Sequence, residues 1–70
     1  MTDYTILKQK LSYFKDNKIS VHIIKHNGRF HNGLILELAG DMIILDEEVA
    51  GAIPIYFLEI KDVEKRRERE

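Results

Sequence analysis

The stretch VHIIKHNGRFHNGLI, Val21–Ile35, decides how the chain folds. Ile19, Val21 and Ile23 alternate with Ser20, His22 and Ile24, the period of a strand with one buried face. Asn27-Gly28 then stands between two β-rich runs. Asn-Gly is the strongest short-range hairpin signal, because both central residues of the tightest turn need positive φ. The return strand runs from about Arg29 to Leu38 and contains Gly33, where a glycine marks a bulge or sharp bend. Leu34, Leu36 and Leu38 take one face and Ile35 the other, so this strand is covered on both sides or kinked at Gly33.

Working outward, Tyr4, Leu7, Leu11 and Phe14 recur at helical spacing and predict an amphipathic helix over residues 3–16. Thr2 or Asp3 suits its N-cap and Asn17 a left-handed end. Toward the C-terminus, Gly40-Asp41 makes a turn, Met42–Leu45 a third strand, and Asp46-Glu47-Glu48 with Gly51 an acidic loop. Ala52–Phe57 reads as a fourth strand, which Pro54 confines to a sheet edge or a bulge because it has no N–H to donate. Leu58–Ile60 is a tight helical turn in which Glu59 caps the next strand or bridges to a neighbour, and Lys61–Lys65 is a fifth strand. Residues 66–70 are all charged and read as a solvated tail. The expectation is one domain over residues 1–65: mainly β, with one N-terminal helix and five strands in a small, strongly bent open barrel.

Size and composition press the same chain toward self-association. A domain of 70 residues buries only about 60% of the surface its unfolded form exposes. Small domains add disulfides, metals or partner subunits. With no cysteine, the first is excluded and thiolate zinc sites with it. The fourth strand, with Ile55, Tyr56 and Phe57, would be an apolar, aromatic edge, which aggregates or pairs with another chain. Head-to-tail pairing of the fourth strand with a neighbour's fifth closes a ring when the rotation allows it. Ile55, Tyr56, Phe57, Ile60 and Val63 are the candidate contact residues. The apolar run Val49–Leu58 is far short of the ~20 residues that span a bilayer. No membrane partner is expected, and without a recognisable signal segment the reading is cytoplasmic.

Charge is uneven. Residues 1–35 hold six Lys/Arg against two acids, and residues 36–70 hold five against ten. That pattern fits a basic and an acidic surface, or subunits attracting head to tail. Lys8, Lys10 and Lys15 fall on the polar side of the helix, which is a solvated face or one that touches phosphates. His22 and His26 are about 13 Å apart if extended, too far to share an ion. A two-residue loop would place His31 opposite Ile24, diagonal to His22 at about 7–8 Å. With no cysteine and no carboxylate in phase, no metal site and no cofactor is expected. His22, His26, Arg29 and His31, beside Lys25, then line one hairpin face: a solvated surface, or one that meets phosphate and base. Ser12 and Ser20 stand in no histidine–carboxylate arrangement and there is no glycine-rich phosphate loop, so no catalytic residue and no enzyme is expected.

These residues resemble the Sm-like superfamily, the group that contains the Hfq-like and archaeal Sm-like proteins. A Val-x-Ile strand leads into Gly28-Arg29, then three residues, then Gly33-x-Ile35, which is similar to the family's glycine spacing. Ile55-Tyr56, Ile60 and Val63 resemble its second conserved segment. The resemblance implies a helix, five bent strands, a homo-oligomeric ring closed by fourth-to-fifth strand pairing, and binding of single-stranded RNA. It carries a base-binding turn acid onto Asp41. The chain departs from the family where Ile43 stands near the position of an asparagine and Phe57-Leu58 replaces the Lys-His pair of Hfq-like pores. Two functions are then open: a ring that binds RNA with altered base preference, or an oligomeric structural or protein-interaction module that binds none.

Overall fold

The computed structural model describes residues 4–66. Helix α1 spans Thr5–Asp16 and buries Leu11 and Phe14, with Tyr4 and Leu7 packed beside them. Its N-cap residue is Tyr4, which makes no side-chain cap; Thr2 and Asp3 lie outside the described residues. At the other end Ile19 N–H donates to Phe14 C=O at 2.9 Å and Lys18 N–H to Lys15 C=O at 3.1 Å. This paired closure needs one residue in the left-handed region. That residue is Lys18, at φ 52°, and not Asn17, at φ −96°.

Five antiparallel strands follow among the described residues: β1 Val21–Lys25, β2 Phe30–Ala39, β3 Met42–Glu47, β4 Gly51–Tyr56 and β5 Ile60–Lys65. A short 3-10 turn over Phe57–Glu59 joins the last two. The sheet order is β4-β3-β2-β1-β5, so β4 and β5 end the sheet on opposite sides and no described strand closes it. Pro54 sits on an edge strand, as its missing N–H requires.

The hairpin is not the two-residue turn that Asn27-Gly28 predicts. Lys25 N–H donates to Arg29 C=O at 2.8 Å and Gly28 N–H to Lys25 C=O at 3.0 Å. His26, Asn27 and Gly28 thus form a three-residue loop in which only Gly28 takes positive φ, at 88°. The register moves by one residue: Ile23 faces His31 and His22 faces Asn32. A slip of one exchanges the two faces of a strand.

The kink expected at Gly33 is also displaced. The irregularity in β2 falls between Ile35 and Glu37, so Leu36 is the extra residue and the strand changes phase there. Ile35 on one side of it and Leu38 on the other both reach the core, while Leu34 and Leu36 face out. Gly33 does a different job. A Cβ there would overlap the Asp46 carbonyl, so glycine is what lets β3 approach β2. Asp46 and Glu47, expected in a loop, extend β3 instead.

The core is apolar among the described residues: Val21, Ile23, Ile35, Ile43, Leu45, Ile55, Phe57, Ile60 and Val63 under Leu11 and Phe14 of the helix. Phe57, expected in the fourth strand and at a subunit contact, belongs to the 3-10 turn and to this core. Ile55, Ile60 and Val63 likewise spend their side chains inside the protomer. Of the five candidate contact residues, Tyr56 alone has an exposed side chain, at 44%. The other four can meet a neighbour only through backbone.

Candidate nucleic-acid interface

A shallow cleft of about 230 Å³ opens where the start of α1, the β2–β3 turn and the 3-10 turn converge. Gly40, at φ 59°, makes that turn tight, and Phe57 N–H donates to the Asp41 carbonyl at 2.8 Å, fastening the 3-10 turn to it. Phe57 is buried at the base, and the Tyr4 ring meets it edge-on at 5.6 Å. Lys8, one helical turn beyond Tyr4, lines the same cleft with Asp41. An exposed cation, an aromatic edge and an acceptor carboxylate within one concavity suit a nucleotide: phosphate to the ammonium, base edge or ribose hydroxyl to the carboxylate. Two predicted residues, Lys8 and Asp41, are therefore brought together.

The remaining lysines are not part of this cleft. Lys15 lies two turns from Lys8 and, with Lys18, borders a groove of about 320 Å³ over Leu34, Ile35 and Leu36; its ammonium is 4.0 Å from Asp16. Lys10 points elsewhere, with Nζ 3.9 Å from Asp62.

The histidines do not share the one face that a two-residue loop would have given them. His22 Nδ1–H donates to Asn32 Oδ1 at 2.6 Å and its ring lies 5.1 Å from that of Phe30. Both partners are products of the shifted register. A groove of about 310 Å³ runs past His22 and Asn32 to Glu64, Lys65 and Arg66. Arg66 is held there by Glu48, Nη2 to Oε1 at 3.0 Å. His31 lies opposite the core residue Ile23, with Nδ1 3.9 Å from Glu47. His26 and Arg29 occupy the exposed hairpin tip, where Arg29 N–H donates to Asn27 Oδ1 at 2.9 Å. Asn32 was not legible as a site residue, because its position depends on a register that the turn dipeptide misstates. Arg66, expected in the solvated tail, is instead tied to the sheet, its N–H donating to Ser20 C=O at 2.9 Å; residues 67–70 of that tail lie outside the described residues. Among the described residues no cluster of histidine and carboxylate has the makings of a metal site.

Two carboxylates are held below the usual range. Glu47 accepts the amides of Ala50 and Val49, at 2.7 and 2.8 Å, and these two bonds lower its pKa. Glu59 accepts the Tyr56 amide at 3.2 Å, the first cause of its lowered pKa, with the bond from Lys25 second. Lys25 Nζ lies 3.3 Å from Glu59 Oε1. Glu59 thus caps within its own protomer.

An N-terminal helix over a bent, unclosed, five-stranded antiparallel sheet, with the fourth and fifth strands at its two edges, is the Sm-like fold. The chain has that fold. A crystal structure of the pleiotropic translational regulator Hfq matches it with a TM-score of 0.75 and 25% identity, over 84% of this chain and 97% of that one. No protein-family model matches the sequence, and no curated protein does. No helix among the described residues is long and apolar enough to cross a membrane.

Proposed function

We propose that this chain assembles into a ring of identical subunits and binds single-stranded RNA with an altered base preference. The observation that carries the RNA reading is the cleft of Tyr4, Lys8, Asp41 and Phe57, set in a fold shared with a translational regulator. The ring reading is supported by two unpaired sheet edges at opposite ends of one protomer. The altered preference is argued from what the cleft lacks. Ile43 is wholly buried and Phe57 nearly so, so neither an amide nor a second cation projects from these positions, and base discrimination falls to Asp41 with the hydroxyl-bearing Tyr4 and Thr5 of the same cleft.

Fluorescence anisotropy with A-rich and U-rich oligonucleotides over a range of salt concentrations tests this. Saturable binding that weakens steeply with salt is expected, since lysines neutralising phosphates release counterions. Lys8→Glu is expected to lower affinity and flatten the salt slope. Absence of binding to either oligonucleotide at low salt would retire the RNA reading. A second reading, a protein-interaction module on the same ring, is favoured by Ile6 and Leu58, 77% and 68% exposed. It predicts a nuclease-treated oligomer without affinity for RNA.

A further inference from the structure

The direction of each edge amide is fixed by bonds at the strand ends. Phe57 N–H donates to Asp41 C=O, and the β3–β4 register is unbroken from Met42↔Tyr56 to Glu47↔Gly51. Bonded and unbonded pairs alternate along an antiparallel ladder. Ile53, Ile55 and Phe57 therefore turn their amides toward β3, and Ala52, Pro54 and Tyr56 face the free edge. Pro54 has no N–H. The Tyr56 N–H is already taken by Glu59 Oε2 at 3.2 Å.

The opposite edge repeats the device. Arg66 N–H donates to Ser20 C=O at 2.9 Å, in phase with His22↔Glu64 and Ile24↔Asp62. Val63 and Lys65 thus face outward, while Lys61 is the extra residue of a bulge opposite Ile24 and Lys25, where the alternation breaks. The Val63 N–H is taken by Asp62 Oδ1 at 2.8 Å. On each edge, a carboxylate of the same chain sits where a neighbouring strand would place a carbonyl. Both caps occupy a donor that strand addition needs, and natural sheets protect edges by such means.

We infer that Glu59 and Asp62 are edge caps that a second copy of this chain must displace, so that these two carboxylates set the concentration at which the chain assembles. The inference rests on the ring reading above. A second copy fits because the two edges are complementary. β4 offers the outward carbonyls of Ala52, Pro54 and Tyr56 with few donors, and β5 offers the outward amide of Lys65 and, once its cap is displaced, that of Val63. Displacement leaves the turn in place, because His26 N–H donates to the Glu59 backbone carbonyl at 3.0 Å whatever the side chain does. Each carboxylate already has a cation beside it that it can keep when displaced: Lys25 Nζ at 3.3 Å from Glu59 and Lys10 Nζ at 3.9 Å from Asp62.

Sedimentation velocity of the full chain over a concentration series compares the wild type with Glu59→Ala, Asp62→Ala and the double variant, each checked for native circular dichroism. In the double variant the assembly midpoint is expected to fall by about tenfold, equivalent to ~1.4 kcal/mol, with the largest species unchanged. Glu59→Asp, which keeps a charge near Lys25 but shortens the reach, is expected to shift the midpoint in the same direction. A well-folded double variant with an unchanged or higher midpoint overturns the inference alone. Amide hydrogen exchange below the midpoint provides the second readout. Tyr56 and Val63 are expected to exchange more slowly than Ala52 in the wild type and to lose that protection in the variants. Equal rates in the wild type overturn the caps. Protected amides in a chain that stays monomeric with and without its caps overturn the displacement and the ring reading together.

Discussion

Gly33→Ala places one methyl group where the Asp46 carbonyl stands. The obstacle is backbone, so no rotamer change relieves it, and β3 must move away from β2. Gly33 is also paired with Val21 on its other side, so β2 cannot retreat freely. Forced overpacking costs about 1–3 kcal/mol, and each ladder bond lost nearby adds ~1 kcal/mol, giving about 3 kcal/mol in all. A chain of this size has a total stability of roughly 3–10 kcal/mol. The variant is therefore expected to lose a large fraction of it, with the thermal midpoint falling by about 10–20 °C, and Gly33→Val to be largely unfolded. Urea denaturation followed by far-ultraviolet circular dichroism, at fixed protein concentration because assembly feeds back on stability, reads this directly. Gly28→Ala is the control: a Cβ there meets nothing, and only the left-handed backbone at φ 88° is strained, for about 1–2 kcal/mol. A Gly33→Ala midpoint equal to wild type, or a smaller loss than Gly28→Ala, would refute close strand approach as the reason for this glycine.

Three further outcomes are expected. Lys18→Gly relieves a non-glycine residue held at φ 52° and is expected to stabilise the fold by about 0.5–1 kcal/mol, seen as a higher urea midpoint. Glu47 and Glu59 have folded pKa values below the ordinary one, so their contribution is complete above the unfolded value of about 4.3 and is lost as pH falls through the folded values. Urea midpoints are expected to decline from about pH 5 downward, less so in Glu59→Gln. Tyr56→Asp puts a charge on an exposed edge side chain and is expected to dissociate the oligomer while far-ultraviolet circular dichroism keeps its protomer shape.

The helix was legible because Leu11 and Phe14 bury at the spacing a helix requires. The edge position of β4 was legible because Pro54 permits little else. The hairpin was legible in kind but not in register. Asn27-Gly28 serves a three-residue loop, closed between Lys25 and Arg29, as well as a two-residue one, and composition does not distinguish them. That single residue of slip moved His31 away from His22 and supplied Asn32 in its place. Leu34, Leu36 and Leu38 form a regular alternation in the sequence, yet the strand slips phase at Leu36, which only pairing with β3 reveals. Phe57 looked like an interface aromatic because its cover, Tyr4, is distant along the chain. The cleft residues Lys8 and Asp41 were each readable as polar candidates, but their convergence was a product of the fold.

A sheet that the described residues leave open underlies both the proposed ring and the proposed edge caps. Multi-angle light scattering of nuclease-treated protein at micromolar concentration measures this most directly. A single species whose mass is a fixed multiple of the 8.2 kDa protomer is the predicted result. A sharp peak at 8.2 kDa, unchanged on concentration, would contradict it.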